Sequence, residues 1–206
     1  MLRRSFIVMA ALLCASTASA DVVQGRDYAL LPSPQPVATA GKIEVIEFFS
    51  YGCPHCARFH PTVTKWAKAL PDDAVFVRVP VSFGRRPWGQ LVRAYYALEA
   101  MGDLEKFDDA LFKAIHDEHK PLFNEDSLAA WVAERGGSAA KFREAFNSTA
   151  VSQKSLRAEQ LTRDYRVSGV PQLAINGKYV PLGDTQEDML RIANELIARE
   201  RAAKTQ

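Results

Sequence analysis

Two cysteines, Cys53 and Cys56, are separated by two residues at the point where a strand-like run gives way to a helical pattern. This position places Cys53 at or next to a helix N-terminus, where unpaired backbone N–H groups and the positive end of the helix dipole stabilise an anion. Thiolate is the reactive form of cysteine, and its population depends on such surroundings. The pair therefore indicates thiol–disulfide redox chemistry.

The first twenty residues are typical of a secretory signal peptide. Arg3 and Arg4 form a positive segment, an apolar run follows over residues 6–13, and Ala18-Ser19-Ala20 is a small-residue cleavage site. A membrane anchor is the alternative, but the apolar run is far shorter than the ~20 residues that a span needs. We expect cleavage before Asp21 and export of the mature chain.

Export changes the meaning of the charge and cysteine counts. The chain has 26 basic and 24 acidic residues, and the leader removes two arginines, so the mature chain is formally neutral, with no basic stripe for nucleic acid. Cys14 leaves with the leader. A bridge between Cys53 and Cys56 restricts the unfolded chain very little, so reactivity explains the pair better than a passive bridge does. Neither a second cysteine pair nor a Cys/His pair completes a zinc site, and no metal is expected.

The segments around the cysteines read as strands and helices of a mixed α/β domain. Residues 43–49 are almost entirely apolar, which is typical of a central strand covered on both faces. Pro54 opens a helix at its first position, where the missing N–H costs nothing. Residues 74–81 form a second core strand. Residues 172–176 and 178–180 form a hairpin around Asn176-Gly177.

Between these strands, residues 88–166 show only helical patterns, with breaks at Gly and Pro positions. Their aromatic stripes are expected to form a core of their own rather than a cofactor site. A parallel strand pair with a crossover helix, then an antiparallel hairpin and a last helix, follows the logic of a thioredoxin fold. We predict an α/β thioredoxin fold with an inserted all-helical subdomain: 1–20 signal peptide, 21–84 first part of the thioredoxin-like domain, 85–151 helical insertion, 152–206 second part.

The segment FFSYGCPHC, Phe48–Cys56, followed by the helical insertion and by GVPQLAINGKY, Gly169–Tyr179, resembles the DsbA family of periplasmic thiol:disulfide oxidoreductases. The similarity covers essentially the mature chain. It implies a periplasmic protein that needs no cofactor beyond a redox-active Cys53–Cys56 disulfide, which it donates to newly exported, unfolded proteins with free thiols. It also implies reoxidation by a quinone-linked inner-membrane protein, DsbB. A monomer is the default expectation.

The two cysteines and the dipeptide between them have distinct expected roles. Cys53 is the nucleophilic, substrate-facing cysteine, and a low thiolate pKa makes it a good leaving group and the disulfide more oxidising. Cys56 is the second half of the pair and faces the core. The resemblance implies that Pro54 and His55 tune the redox potential, since the imidazole can donate to the thiolate or carry positive charge near it. An exposed loop histidine without a role is the alternative.

Two further positions are candidates for the site. An ordinary prediction makes Pro171 a trans strand-start residue, whereas the resemblance implies a cis Val170-Pro171 peptide beside the disulfide, with the Val170 backbone pairing to substrate. Glu47 lies in a strand that should be buried, which raises the pKa of its carboxyl group and makes it a candidate proton acceptor for Cys56. A partly exposed edge position paired with Lys or Arg is the alternative for Glu47.

Two departures from the family pattern carry their own expectations. Tyr51-Gly52 stands where the best-known members have two aromatic residues, so one fewer apolar side chain is expected along the substrate groove. His60 stands where an acidic residue is expected beside the active-site helix. An added imidazole near Cys53 would make the site more electropositive.

Three other functions compete with the disulfide donor. A reductase or isomerase uses the same fold, although an isomerase usually needs a means of holding misfolded substrate, often a dimerisation domain, and none is visible. An exported chaperone or binding module with an incidental disulfide needs no reactive Cys53. A glutathione-using isomerase of the kappa class is not expected to keep both cysteines.

Overall fold

The computed structural model describes residues 21–204, so the predicted signal peptide lies outside the described residues. Within that range, no helix combines the length and the apolar character needed to cross a bilayer.

The described chain contains one five-stranded mixed sheet with the order β1-β5-β4-β2-β3. β2 and β3 are parallel, and the other neighbours are antiparallel. Every residue of β2 is buried, as expected for a strand covered on both faces. The strands are β1 Tyr28–Leu30, β2 Ile43–Phe49, β3 Ala74–Pro80, β4 Gln172–Ile175 and β5 Tyr179–Pro181.

Helices cover both faces of this sheet and fill the long segment between β3 and β4. They are α1 Pro54–Lys68, α2 Arg86–Ala100, α3 Leu104–His116, α4 Glu125–Glu134, α5 Ala139–Phe146, α6 Thr149–Asp164 and α7 Gln186–Lys204. The element order confirms the thioredoxin fold with a helical insertion. The domain boundaries stay a prediction, and the one at 151/152 falls inside α6.

The described residues form two hydrophobic cores. One contains Phe48 and Phe49 of β2 together with buried aromatic residues of the inserted helices, among them Phe107 and Trp131. The other contains Val45 of β2 together with side chains of α1 and α7. The aromatic stripes of the insertion are therefore core. Because α1 contributes Cys56 to the first core and Phe59 and Val63 to the second, the redox motif lies at the edge between the two cores.

The hairpin between β4 and β5 turns through two residues in the left-handed region. Asn176 has φ 50° and Gly177 has φ 66°, the pattern of a type I′ turn. A Cβ on Gly177 would overlap the backbone of Gln35, so the turn also fixes the segment that leads into β2. This hairpin sets the position of β4 against β2 and thereby the position of Val170-Pro171.

Candidate active site

The redox motif occupies the turn between the end of β2 and the start of α1. Cys53 is the N-cap residue of α1, with extended backbone angles and no side-chain cap bond, and Pro54 follows inside the first turn. The backbone N–H of Cys53 donates to the carbonyl oxygen of Ser50 at 3.1 Å. Cys53 retains 6% of its surface exposed, whereas Cys56 is fully buried. The helix start therefore points its free N–H groups toward the more accessible sulfur.

Several donors converge on the Cys53 sulfur and stabilise its thiolate. They lower the pKa of Cys53 to about 5, first through a hydrogen bond from the Cys56 thiol, against the opposing effect of burial. The backbone N–H groups of Cys56 and His55 and the charge of His55 add to the effect. His55 itself is exposed, with Nδ1 2.9 Å from an Nη atom of Arg58. The site thus favours an ionised Cys53.

Cys56 experiences the opposite surroundings. Burial raises its pKa far above that of an ordinary thiol, and the hydrogen bond to Cys53 and the negative charges of Cys53 and Glu47 raise it further. A proton shared by the two sulfurs therefore resides on Cys56, one turn into the helix.

A buried ion pair lies under the motif. Glu47 of β2 is fully buried, and its Oε2 accepts a hydrogen bond from Nε of Arg78 on β3 at 2.7 Å. Burial raises the pKa of Glu47, against the lowering effect of Arg78. The expectation of a buried carboxylate with a raised pKa is confirmed. The alternative for Glu47 is a partly exposed edge position paired with Lys or Arg. The exposure is wrong, but the basic partner is correct.

The ion pair extends into the inserted helices through Asp108 of α3. Nη1 of Arg78 lies 2.6 Å from Oδ2 of Asp108, and the hydroxyl of Tyr51 donates to the other oxygen of Asp108. The guanidinium carbon of Arg78 is 3.8 Å from the centroid of the Phe49 ring. Oε1 of Glu47 and Nη2 of Arg78 have no hydrogen-bond partner within residues 21–204. Two carboxylates thus share one buried cation below the redox turn.

Sequence reasoning missed Arg78 and Asp108. Arg78 is the single charged residue in the otherwise apolar β3, which is a readable signal for a buried partner of Glu47. Asp108 gives no such signal, because acidic residues are common on exposed helix faces.

The loop before β4 brings a backbone carbonyl to the catalytic sulfur. The Val170-Pro171 peptide bond is cis, as the resemblance implied and against the ordinary trans prediction. The Cys53 sulfur lies 3.3 Å from the carbonyl oxygen of Val170, to which its protonated form donates. Within the described range, no group of three or more His, Cys, Asp or Glu residues is arranged to hold a metal ion.

The DSBA-like thioredoxin domain family matches residues 44–193. The chain belongs to this family. It is 39% identical over 202 residues to the thiol:disulfide interchange protein DsbA of Pseudomonas aeruginosa, covering 97% of this chain and 95% of that one. The protein of the same name from Pseudomonas syringae pv. tomato is 41% identical over 209 residues, covering 97% of each chain. A crystal structure of Pseudomonas aeruginosa DsbA superposes with a TM-score of 0.84 at 40% identity, over 88% of this chain and 96% of that one.

Membership in the DSBA-like family makes the protein a thiol:disulfide oxidoreductase with a redox-active cysteine pair. The first expected departure from the family pattern concerns Tyr51-Gly52, and it stays a prediction for the substrate groove. The indole of Trp88 packs against Gly52: a Cβ at position 52 would come within 2.9 Å of Trp88 Cδ1. An aromatic ring from α2 thus lies beside the turn.

The second expected departure concerns His60. His60 is buried against α3, with Nε2 3.6 Å from Asp108 and its ring 4.7 Å from that of Phe112. Burial lowers the pKa of His60 despite the two nearby aspartates. Burial thus disfavours the charged imidazole, against the expectation of a more electropositive site.

Proposed function

We propose that the protein donates its Cys53–Cys56 disulfide to newly exported proteins in the periplasm. One observation carries the proposal: the surroundings of Cys53 lower its pKa to about 5. A disulfide is more oxidising when one of its sulfurs leaves as a stable thiolate, because the reduced form is then favoured.

The reaction proceeds through a mixed disulfide on Cys53. A substrate thiolate attacks the Cys53 sulfur, the bond to Cys56 breaks, and its electron pair goes to the Cys56 sulfur, which takes up a proton. A second substrate thiolate then attacks the substrate sulfur, and Cys53 leaves as a thiolate. Two electrons pass from substrate to enzyme; the substrate loses two protons, of which Cys56 retains one.

Neighbouring residues support each step. Glu47, buried near Cys56 with a raised pKa and a free oxygen, is suited to exchange the proton of the Cys56 thiol. The N–H of Val170 donates to no backbone carbonyl of residues 21–204, so it is available to pair with an extended substrate. Pro54 fixes the helix start beside the sulfur, and His55 places a titratable group next to the thiolate.

The electrons leave through the same pair of sulfurs, because the mature chain has no third cysteine. Reoxidation therefore needs an external acceptor that reaches Cys53, and a quinone-linked membrane protein of the DsbB kind has the required chemistry. The N-terminal leader supports a periplasmic location.

The competing functions predict different thiol properties. A reductase or isomerase of this fold needs a Cys53 pKa nearer neutrality, an exported chaperone or binding module needs no reactive sulfur, and a kappa-class isomerase needs only one cysteine. The strong asymmetry between Cys53 and Cys56 favours the donor.

Trapping the intermediate tests the proposal. The oxidised protein should convert a reduced, unfolded multi-cysteine protein to its disulfide form. Cys56→Ser should accumulate a mixed disulfide when its Cys53 is first activated with a small disulfide, and Cys53→Ser should accumulate none, as read by mass spectrometry. A lack of mixed disulfide in Cys56→Ser would contradict the proposal. Binding of the unfolded protein that Cys53→Ser retains in full, with no oxidation by the unsubstituted protein, would favour a binding module.

A further inference from the structure

The loop between β3 and α2 covers one side of the redox turn with an aromatic platform. The indole of Trp88 lies against Gly52, one residue before Cys53. The guanidinium carbon of Arg85 is 4.7 Å from the centroid of that indole, and the ring of Phe83 lies 6.2 Å from it. Stacking on the indole restrains Arg85 beside the active site.

Two cations of this loop face solvent without an acidic partner. Arg85 and Arg86 are exposed, and neither forms an ion pair with a carboxylate in the described part of the chain. Glu159, the acidic residue that lines the adjoining groove with Arg86, accepts a hydrogen bond from the Ser82 hydroxyl. The positive charge of the loop is therefore available to another molecule.

Helix stability does not explain why Arg85 and Arg86 lie at the start of α2. Arg85 is the N-cap of α2 and Arg86 its first residue, the first turn contains no acid, and no side chain caps it. These positions favour acidic and polar side chains, because the N-terminus is the positive end of the helix. Phe83 also adopts φ 49°, a conformation that is uncommon for an aromatic residue. Such a conformation beside an active site points to function.

The cleft on the α3 side of α1 differs in charge. It is lined by Asp109 and Asp117 together with Arg58, Lys113 and His116, so both signs of charge are present. The two arginines at the β3–α2 junction, which have no carboxylate ion-pair partner among residues 21–204, therefore distinguish it from this cleft.

We propose that Arg85, Arg86 and Trp88 form a cationic rim that binds acidic segments flanking the cysteine of a substrate protein. This inference rests on the proposed disulfide donation. A substrate joined to Cys53 and paired with Val170 is extended and advances about 3.3 Å per residue. A carboxylate two to four residues from its cysteine then lies roughly 7–13 Å from the sulfur. Under this inference it meets the rim, where opposite charge speeds encounter and fixes orientation.

Three matched dithiol peptides test the rim. They differ only in having two Glu, two Gln or two Lys residues placed two to four positions from the attacking cysteine, with each side of the cysteine tested in a separate set. The measured quantity is the rate at which each peptide reduces the oxidised protein at low ionic strength. The Glu peptide should react roughly two- to tenfold faster than the Lys peptide, and added salt should remove the difference.

Charge variants assign the preference to the rim. Arg85→Gln/Arg86→Gln should bring the Glu-to-Lys rate ratio close to one, and Arg85→Glu/Arg86→Glu should invert it. Lys42→Gln/Lys141→Gln removes the same charge from exposed positions outside the rim and should keep the original ratio. Thermal unfolding of each variant checks that the fold is retained.

The outcomes separate this inference from the proposed function. Equal rates for the three peptides, or a preference that survives Arg85→Glu/Arg86→Glu, would overturn the cationic rim and leave disulfide donation intact. A failure to oxidise even the Gln peptide would contradict disulfide donation itself.

Discussion

The two sulfurs of the motif lie one helical turn apart, yet they occupy opposite electrostatic surroundings. Cys53 receives backbone N–H groups from the helix start, whereas Cys56 is fully buried near the carboxylate of Glu47. The same helix therefore stabilises negative charge on one sulfur and disfavours it on the other. Both residues are cysteines with the same side chain. The difference between their pKa values therefore follows from their positions in the first helical turn.

Titration of the reduced protein tests the comparison where the expected difference is largest. Thiolate absorbance should show Cys53 ionising with a pKa of about 5, against an ordinary thiol value of 9.0, while Cys56 remains protonated through the neutral range. Ionisation of both thiols near the pKa of a free cysteine would remove the asymmetry.

The stability of the reduced form should follow the same titration. Because the folded state lowers the pKa of Cys53, the resulting stabilisation is present in full above pH 9 and is lost as the pH falls through about 5. The measurement is the free energy of unfolding of the reduced protein minus that of the oxidised protein, taken across this range. This difference should decrease on acidification.

Removal of the buried cation tests the core side of the comparison. Arg78→Met leaves the fully buried carboxylate of Glu47 and the partly buried carboxylate of Asp108 without their shared partner. We expect a loss of about 3–5 kcal/mol in the free energy of unfolding, measured with denaturant.

An exposed ion pair provides the matched control for Arg78. Arg201 pairs with Asp73 at 2.5 Å, with each side chain about 40% exposed, so Arg201→Met should cost less than about 1 kcal/mol. Similar losses for the two variants would show that burial of the Arg78 cluster has no energetic consequence.

Crowding at Gly52 tests the outer side of the turn. Gly52→Ala places a methyl group against the Trp88 indole and should destabilise the protein by about 1–3 kcal/mol. Gly89→Ala, in helix α2 with open space around it, should instead stabilise by about 0.5–1 kcal/mol. Thermal unfolding measures both. Neutral behaviour of Gly52→Ala would indicate that the indole does not rest on the turn.

The smallest expected effect separates two histidines. The charge of His55 makes the smallest contribution to the lowered pKa of Cys53. His55→Gln removes this exposed charge, so the pKa of Cys53 should rise by less than about one pH unit. His60→Gln should leave the pKa of Cys53 unchanged, because that ring is buried against α3. A larger effect from His60 would restore the expectation that the structure overturned.

Local patterns in the sequence were sufficient to predict the fold and the redox pair. The apolar run of β2, Pro54 at a helix start and the Asn176-Gly177 turn each report on a few neighbouring residues, and the structure contains all three features. The Cys53–Cys56 spacing is likewise a local pattern, which the sequence shows directly.

The remaining parts of the site depend on residues far apart in the chain. Asp108 meets Arg78 only because α3 packs over the sheet, and Trp88 fills the space beside Gly52 only because α2 begins next to the turn. The same limitation explains the error at His60, since nothing near it in the sequence indicates that α3 buries the ring. Long-range packing of this kind leaves no periodic signal.

The distance along the chain between Cys53 and Val170 also dictates when the active site can exist. The two residues are 117 positions apart, and β4 must pair with β2 before the Val170 carbonyl reaches the sulfur. A chain that emerges N-terminus first therefore displays both thiols long before their surroundings are built. During that interval the nascent protein is a dithiol, and the Val170 carbonyl comes into place only after β4 has emerged and paired with β2.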